Sequence, residues 1–167
     1  MALPGIVQPE FVEINEWLRL RKYDGQFERF LVGYQNPIVY QNSEGIFDES
    51  KIPDLDYMER MCGYLSKVGE LYYIEVREDH GFVSIGDVTI KDENPPIAIW
   101  LDDYRGKGIG TLVMQTVIRR LRELGFQKVK NSTVYRWNEA SQKMHEKLGF
   151  YRVGAEDDEI QYELNLC

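Results

Sequence analysis

Tyr104-Arg105-Gly106-Lys107-Gly108-Ile109-Gly110 stands between an extended apolar run, Pro96-Ile97-Ala98-Ile99-Trp100-Leu101, and a run of helical periodicity from Thr111 to Leu124. Three glycines on alternate residues at the mouth of a helix leave backbone N–H groups bare, and the positive end of the helix dipole adds to their pull on an anion. The stretch reads as a cradle for a phosphate. An exposed glycine turn flanked by two surface cations is the plainer alternative, and these residues alone leave both open. Two common phosphate loops do not fit. One needs a wider loop followed by Lys and a hydroxyl, and the other needs its third glycine one residue beyond Gly110.

Downstream of the cradle, the Thr111–Leu124 run places Ile109, Leu112, Val113, Val117, Leu121 and Leu124 on one side, and Gly125 stops it. Lys128 to Tyr135 reads as a strand, so strand, loop, helix and strand predict a right-handed crossover between parallel strands. Asn138 then caps a helix from Glu139 to Leu148, and two extended runs, Phe150 to Val153 and Glu159 to Leu166, close the chain.

Upstream, Leu71 to Val76 and Phe82 to Lys91 lie at hairpin distance, and Asp92-Glu93-Asn94-Pro95 turns the chain into the strand before the cradle. Leu55 to Val68 has helical spacing. Phe11 to Tyr23 is read as a first strand, Phe27 to Tyr34 as a short helix ending before Pro37, and Pro37 to Pro53 as a long connection with a short helical turn, of the kind that covers a site. No repeat or composition break divides the chain, so a single domain over residues 1–167 is expected.

The 167 residues are 43% hydrophobic and 29% charged, an ordinary balance for a globular chain, and the net charge is -8. That charge repels nucleic acid at long range and would draw in a cationic amine or basic peptide, although solubility alone also accounts for it. Cys62 and Cys167 make neither a disulfide framework nor a zinc spacing, so no metal is expected. No apolar run approaches the roughly 18 residues of a membrane span, and the start has no signal pattern. A cytoplasmic protein is expected.

Arg105-Gly106-Lys107-Gly108-Ile109-Gly110 is similar to the Gln/Arg-x-x-Gly-x-Gly/Ala motif of the GNAT superfamily of N-acetyltransferases. Asn138-Glu139-Ala140-Ser141-Gln142-Lys143-Met144-His145-Glu146-Lys147-Leu148-Gly149-Phe150 resembles that family's second motif, an Asn-led helix ending in Glu-Lys-Leu-Gly-Phe. Leu18-Arg19-Leu20-Arg21, followed by a helix and Asn36-Pro37, further resembles the branch containing aminoglycoside 6′-acetyltransferases and ribosomal-protein N-terminal acetyltransferases.

The resemblance implies an α+β fold with a splayed, mostly antiparallel mixed sheet of about seven strands, open between the strand before the cradle and Lys128–Tyr135, with helices on both faces. It implies acetyl-CoA as cosubstrate and transfer to a primary amine of a small molecule or a peptide N-terminus by direct attack, in a monomer or homodimer. Arg105, Gly106, Lys107, Gly108, Ile109 and Gly110 would hold the pyrophosphate, Ile99, Trp100 and Leu101 would pair with the pantetheine amides, and Asn138 and Ser141 would touch the thiol-bearing arm. For Asn138 simple capping, and for Ser141 solvent exposure, remain the alternatives.

His145 departs from the family, which has a Tyr there to protonate the leaving thiolate. An imidazolium is suited to the same task near neutrality, and a histidine packed without a catalytic role is equally consistent with the pattern. If the acid is lost, a CoA-binding regulatory or scaffold domain is the competing function. Glu75, Asp87, Asp102 and Asp103, or water, are the candidate bases, Trp17, Trp137 and the tyrosines between Tyr34 and Tyr40 are candidate acceptor-pocket residues, and His80 is expected in an exposed turn.

Overall fold

The computed structural model describes residues 5–167. Eight strands and five α-helices follow one another as β1 (Phe11–Glu13), β2 (Leu18–Lys22), α1 (Leu31–Tyr34), α2 (Pro37–Glu44), α3 (Leu55–Val68), β3 (Glu70–Glu78), β4 (Gly81–Ile90), β5 (Ile97–Ile99), α4 (Ile109–Glu123), β6 (Lys128–Tyr135), α5 (Glu139–Lys147), β7 (Tyr151–Ala155) and β8 (Glu159–Asn165). The first run expected as one strand is a tight hairpin instead. The N–H groups of Ile14 and Asn15 both donate to the Leu18 carbonyl, and Asn15 Oδ1 accepts from the Trp17 N–H, which turns the chain between β1 and β2.

Strands β1 to β5 form one antiparallel sheet in sequence order, and β6, β8 and β7 form a second in that order. The expected splay lies between β5 and β6. Their junction is a single parallel bridge, Glu93 with Lys130, before β5 begins: Asn94 N–H donates to the Lys130 carbonyl and Lys130 N–H to the Asp92 carbonyl. Beyond it the two strands separate, so the parallel character expected of the crossover is confined to that one bridge.

Both faces of the larger sheet are covered, which is why β3 is buried continuously from Glu70 to Val76. Along it, Tyr72, Ile74 and Val76 face a core completed by α4 through Val113, Met114, Val117 and Leu121, together with β6 and β8. The alternate residues Leu71 and Tyr73 face a second core with Phe30, Tyr34, Val39, Met58, Cys62 and Trp100, supplied mainly by α1, α2 and α3. Arg120 of α4 donates through Nε and Nη2, each at 2.9 Å, to the buried carboxylate of Glu70. Among the described residues no helix is long and apolar enough to cross a membrane.

The connection expected from Pro37 to Pro53 begins with two full turns of helix. Asn36 Oδ1 accepts from the Ile38 N–H, and Pro37 occupies the first turn, where its missing N–H costs nothing. Gly45, left-handed at φ 66°, ends the helix. Asn36-Pro37 is thus a helix start as well as the expected stop of the helix before it, and the result is that α2 becomes one wall of the splay.

Candidate functional site

A cleft of about 280 Å³ fills the space that the separation of β5 and β6 opens. Its floor is Ile97, Ala98 and Ile99 of β5, α2 supplies one wall with Ile38, Val39, Asn42 and Ser43, and the other wall comes from the glycine loop, the first turn of α4 and the start of α5. The elements that make it are each locally determined. Gly106 and Gly108 have φ of 73° and 82°, a left-handed backbone that L side chains resist, and a β-carbon added at either would meet nothing within 4 Å. Glycine is required there for conformation and leaves the backbone uncovered.

Gly108 is the N-cap of α4, and no side chain caps that helix. The N–H groups of Ile109, Gly110 and Thr111 therefore lack helical partners, and they stand at the positive end of a 15-residue helix beside the cleft. Strand β5 adds a second set of free groups. Trp100 N–H donates to the Ile85 carbonyl and the Pro96 carbonyl accepts from Thr89 N–H, so these residues turn their backbones toward β4. By the two-residue alternation of a strand, Ile97 and Ile99 turn theirs the other way, into the cleft. An extended chain bearing amides and ending in phosphate matches both sets.

The cleft gathers Ile99, Arg105, Gly106, Gly108, Ile109, Gly110, Asn138 and Ser141 from the residues expected at a cofactor site. Trp100, Leu101 and Lys107 are not part of its lining. Trp100 is buried in the core supplied by α1, α2 and α3, its N–H taken by β4 and its indole Nε1 donating to Asp87 Oδ1 at 2.8 Å. Leu101 packs against both cores, and Lys107 is exposed.

Arg105 has a different task from a free phosphate-binding cation. Its Nε donates to the Ile99 carbonyl at 3.1 Å and its Nη2 to the Trp100 carbonyl at 2.9 Å, while Nη1 donates to Asp102 Oδ1. Asn36 Nδ2 donates to the same Asp102 oxygen at 3.1 Å. These hydrogen bonds, from Arg105 first and then Asn36, hold the Asp102 carboxyl below the usual carboxylate range. One line of polar contacts thus runs from the cap of α2, through Asp102, to the guanidinium that fastens the glycine loop to the end of β5.

His145 is not placed as an acid at the cleft. It is 4% exposed, its ring stacked on Tyr162 at 5.2 Å and edge-on to Phe150 at 4.7 Å. Nδ1–H donates to the Ser141 carbonyl at 2.7 Å, which leaves Nε2 to accept from the Ser132 hydroxyl at 2.9 Å. Burial lowers its pKa from the ordinary histidine value. With both ring nitrogens engaged in the interior and no place in the cleft lining, His145 is not positioned to act directly on a thiolate there, which speaks against the catalytic expectation for it. Asn138 Oδ1 caps α5 by accepting from Ser141 N–H at 3.2 Å, yet both residues also line the cleft, so capping and contact coexist.

None of the four expected bases lies in the lining. Glu75 is a buried ion-pair partner, accepting from Arg19 Nε at 2.9 Å and Arg21 Nε at 2.7 Å. Asp87 is fully buried behind β5, where burial pushes its pKa up to about 7 while hydrogen bonds from Trp100 and Tyr34 oppose the rise. Asp103 is exposed at the rim beside Asp102. Trp17 stands on the β1–β2 hairpin away from the cleft, and Tyr34 and Tyr40 are buried. His80 is exposed in the β3–β4 turn, as expected. The α2 wall was missed in the sequence, although the Asn-Pro start and glycine end of that helix were there to be read.

Residues 43–150 match the family model described as Acetyltransferase (GNAT) family. A curated relative, the SPbeta prophage-derived uncharacterized N-acetyltransferase YokL of Bacillus subtilis (strain 168), is 37% identical over 90 residues, and the match spans 51% of this chain and 50% of that protein. The structure of the microcin self-immunity acetyltransferase MccE in complex with acetyl-CoA and AMP superposes with a TM-score of 0.69 at 17% identity, covering 94% of this chain and 97% of that one. RimL, a ribosomal alpha-N-protein acetyltransferase in complex with coenzyme A, has a TM-score of 0.69 at 16% identity, covering 93% and 98%. The two structural likenesses speak to the fold.

Proposed function

Because the chain belongs to the GNAT family of acetyltransferases, we propose that it moves the acetyl group of acetyl-CoA to a primary amine of a small molecule or a peptide N-terminus. The observation that carries this reading is the meeting, in one cleft, of an uncapped helix start and an outward-facing strand edge. Acetyl-CoA supplies the activated thioester. The N–H groups at the start of α4 take its pyrophosphate, with Gly106 and Gly108 keeping the approach open. The Ile97 backbone and the Ile99 N–H take the pantetheine amides, the Ile99 carbonyl being held by Arg105.

Asn138 and Ser141 flank the thiol arm, and one turn further along α5 His145 ties the helix to the interior through the Ser141 carbonyl and the Ser132 hydroxyl. Direct attack requires an unprotonated amine on the carbonyl carbon; the carbon–sulfur bond breaks, the amine nitrogen gives up a proton and the thiolate gains one. Water supplies the proton to sulfur in this reading. The protein would work in the cytoplasm, a reducing compartment with which the free Cys62 and Cys167 are compatible.

The placement of His145 favours one competing reading, a CoA-binding domain without turnover. Release of free thiol separates the two. A panel of polyamines, aminoglycosides and peptides with free N-termini, followed with a thiol reagent at saturating acetyl-CoA, is expected to contain at least one amine that raises turnover well above background hydrolysis. Binding of acetyl-CoA by calorimetry with no amine accelerating thiol release would overturn the transfer and leave the binding domain.

A further inference from the structure

At the end of α2, one residue past the cleft-lining Ser43, the side chain of Glu44 lies partly buried among aromatic rings. Oε1 accepts the Tyr57 hydroxyl at 2.8 Å, and Oε2 has no partner among the described residues. That second oxygen is not among the fully buried side-chain atoms without a partner, of which Thr89 Oγ1 is the one found among those residues. Among the described residues no cationic side chain pairs with Glu44, and burial raises its pKa above the ordinary glutamate value.

The rings beside it are held in place. Gly45 sits so close to Tyr135 that an added β-carbon would come within 2.7 Å of Cζ, and it adopts φ 66°, so both space and conformation demand glycine there. Trp137 stacks on Tyr135 with centroids 4.8 Å apart and planes 11° apart, and its Nε1 donates to the Gln41 carbonyl of α2 at 2.8 Å. Phe47 closes edge-on against Trp137 at 5.0 Å while remaining 60% exposed. Three aromatic residues are thus assembled against the C-terminal end of α2, next to the Glu44 carboxylate, with Phe47 and Trp137 left partly open to water. Trp137 adjoins Asn138, which lines the cleft.

A carboxylate oxygen without a cation, beside exposed ring faces, is complementary to an organic cation: the charge pairs with Glu44 and the π faces attract it further. The acidic turn after β7 reinforces the sign. Tyr135 pairs with Glu159 across the β6–β8 ladder, and Arg136 N–H donates to the Asp158 carbonyl, which brings Glu156 to Glu159 to the same edge. An anion arriving there would meet four consecutive acidic residues, set against the exposed guanidinium of Arg136, whose Nε donates to the Glu156 carbonyl. We infer that Glu44, with Tyr57, Tyr135 and Trp137, forms the subsite that receives the acceptor as an organic ammonium ion. This assignment rests on the proposed acetyl transfer for the word acceptor, but the cation preference does not.

The test uses two pairs of probes that differ in charge and little in shape, phenethylamine with 2-phenylethanol and 1,4-diaminobutane with 1,4-butanediol. Each is titrated into the protein alone and into the protein saturated with free CoA, which has no acetyl group to give, with tryptophan fluorescence and calorimetry as readouts. Both amines are expected to saturate, with affinities at least about tenfold above those of their neutral partners. Glu44→Gln keeps the shape and the Tyr57 bond; it should lower amine affinity by about tenfold or more while the CoA affinity stays unchanged, which also shows that the variant is folded. Trp137→Leu should weaken the amines several-fold. The inference is overturned if neither amine saturates up to about 50 mM, if the alcohols bind as well, or if Glu44→Gln binds the amines like the wild type. Failure of CoA to bind would instead refute the proposed transfer and leave the cation preference readable in the CoA-free titration.

Discussion

Replacing Asp87 by Asn should make the protein more stable in alkaline solution and have little effect in acid. The carboxyl is fully buried, its partners are the neutral donors Tyr34 (2.9 Å) and Trp100 (2.8 Å), and among the described residues no cation pairs with it. Burial raises its pKa to about 7 in the folded protein, against about 3.9 in the unfolded chain. Between those values the folded protein keeps a proton that the unfolded chain has released, so the unfolded state binds fewer protons and stability falls as pH rises. Above the folded value the full cost is present, about 4 kcal/mol at about 1.4 kcal/mol per pKa unit.

Asn carries no charge at any pH, and its Oδ1 can go on accepting the Trp100 Nε1–H. Its amide hydrogens need an acceptor where the carboxylate needed a donor, with the Tyr34 oxygen the nearest at hand, a mismatch of about 1 kcal/mol. Near pH 8 the Asn variant should therefore be more stable by about 3 kcal/mol, and near pH 4.5 the two should agree within about 1 kcal/mol. Urea midpoints across that range at fixed ionic strength give the difference curve, in which groups common to both proteins, such as the buried His145, largely cancel. A difference that does not change with pH would refute the reasoning, because it would mean that Asp87 ionises in the folded state as easily as in the unfolded one.

Gly108→Ala and Gly125→Ala both place a β-carbon on a left-handed residue with open space around it, at φ 82° and 87°. Each should cost about 1 to 2 kcal/mol in urea unfolding; only the first should also weaken acetyl-CoA, by about tenfold or more in calorimetry, and equal affinity losses would detach the cradle from the ligand. His145→Ala should cost about 2 to 4 kcal/mol, since it leaves the Ser132 hydroxyl without its acceptor and a void between Tyr162 and Phe150. Its turnover at saturating acetyl-CoA should keep the pH profile of the wild type, and loss of a basic limb in the variant would restore the histidine as the acid.

Features fixed by neighbours in the chain were legible in the sequence. The glycine cradle, the helix after it, the β3–β4 hairpin and the Asn138 cap all depend on spacing within a few residues, and each stands where that spacing put it. Asn36-Pro37 was ambiguous for a physical reason: a proline ends one helix as readily as it begins the next, and only the Asn36 cap and Gly45 at the far end decide between them. Long-range partners left no local trace. Nothing near Arg105 indicates that its guanidinium would be used on the carbonyls of Ile99 and Trp100, and nothing near His145 reveals Ser132 on the facing strand. Glu44 was passed over for the same reason, since Tyr57 reaches it, and Tyr135 reaches the adjacent Gly45, from separate elements.

Strand β5 carries a liability as well as a surface. Its outward edge is left without a strand partner over the length of the cleft, and an unpaired edge is a template for any extended chain, including that of another molecule beginning to aggregate. Two features limit that hazard. The strand has only three residues, and its open side lies at the bottom of a trench between Ile38 and Val39 on one bank and Ile109 and Met144 on the other. A β-strand bearing side chains on both faces would collide with those banks, whereas a slender unbranched chain passes between them. The walls that shape the cleft for a narrow ligand thus also act as gatekeepers against misassembly, and a small side chain at Ile38 or Met144 is expected to raise the tendency to aggregate before it affects the fold.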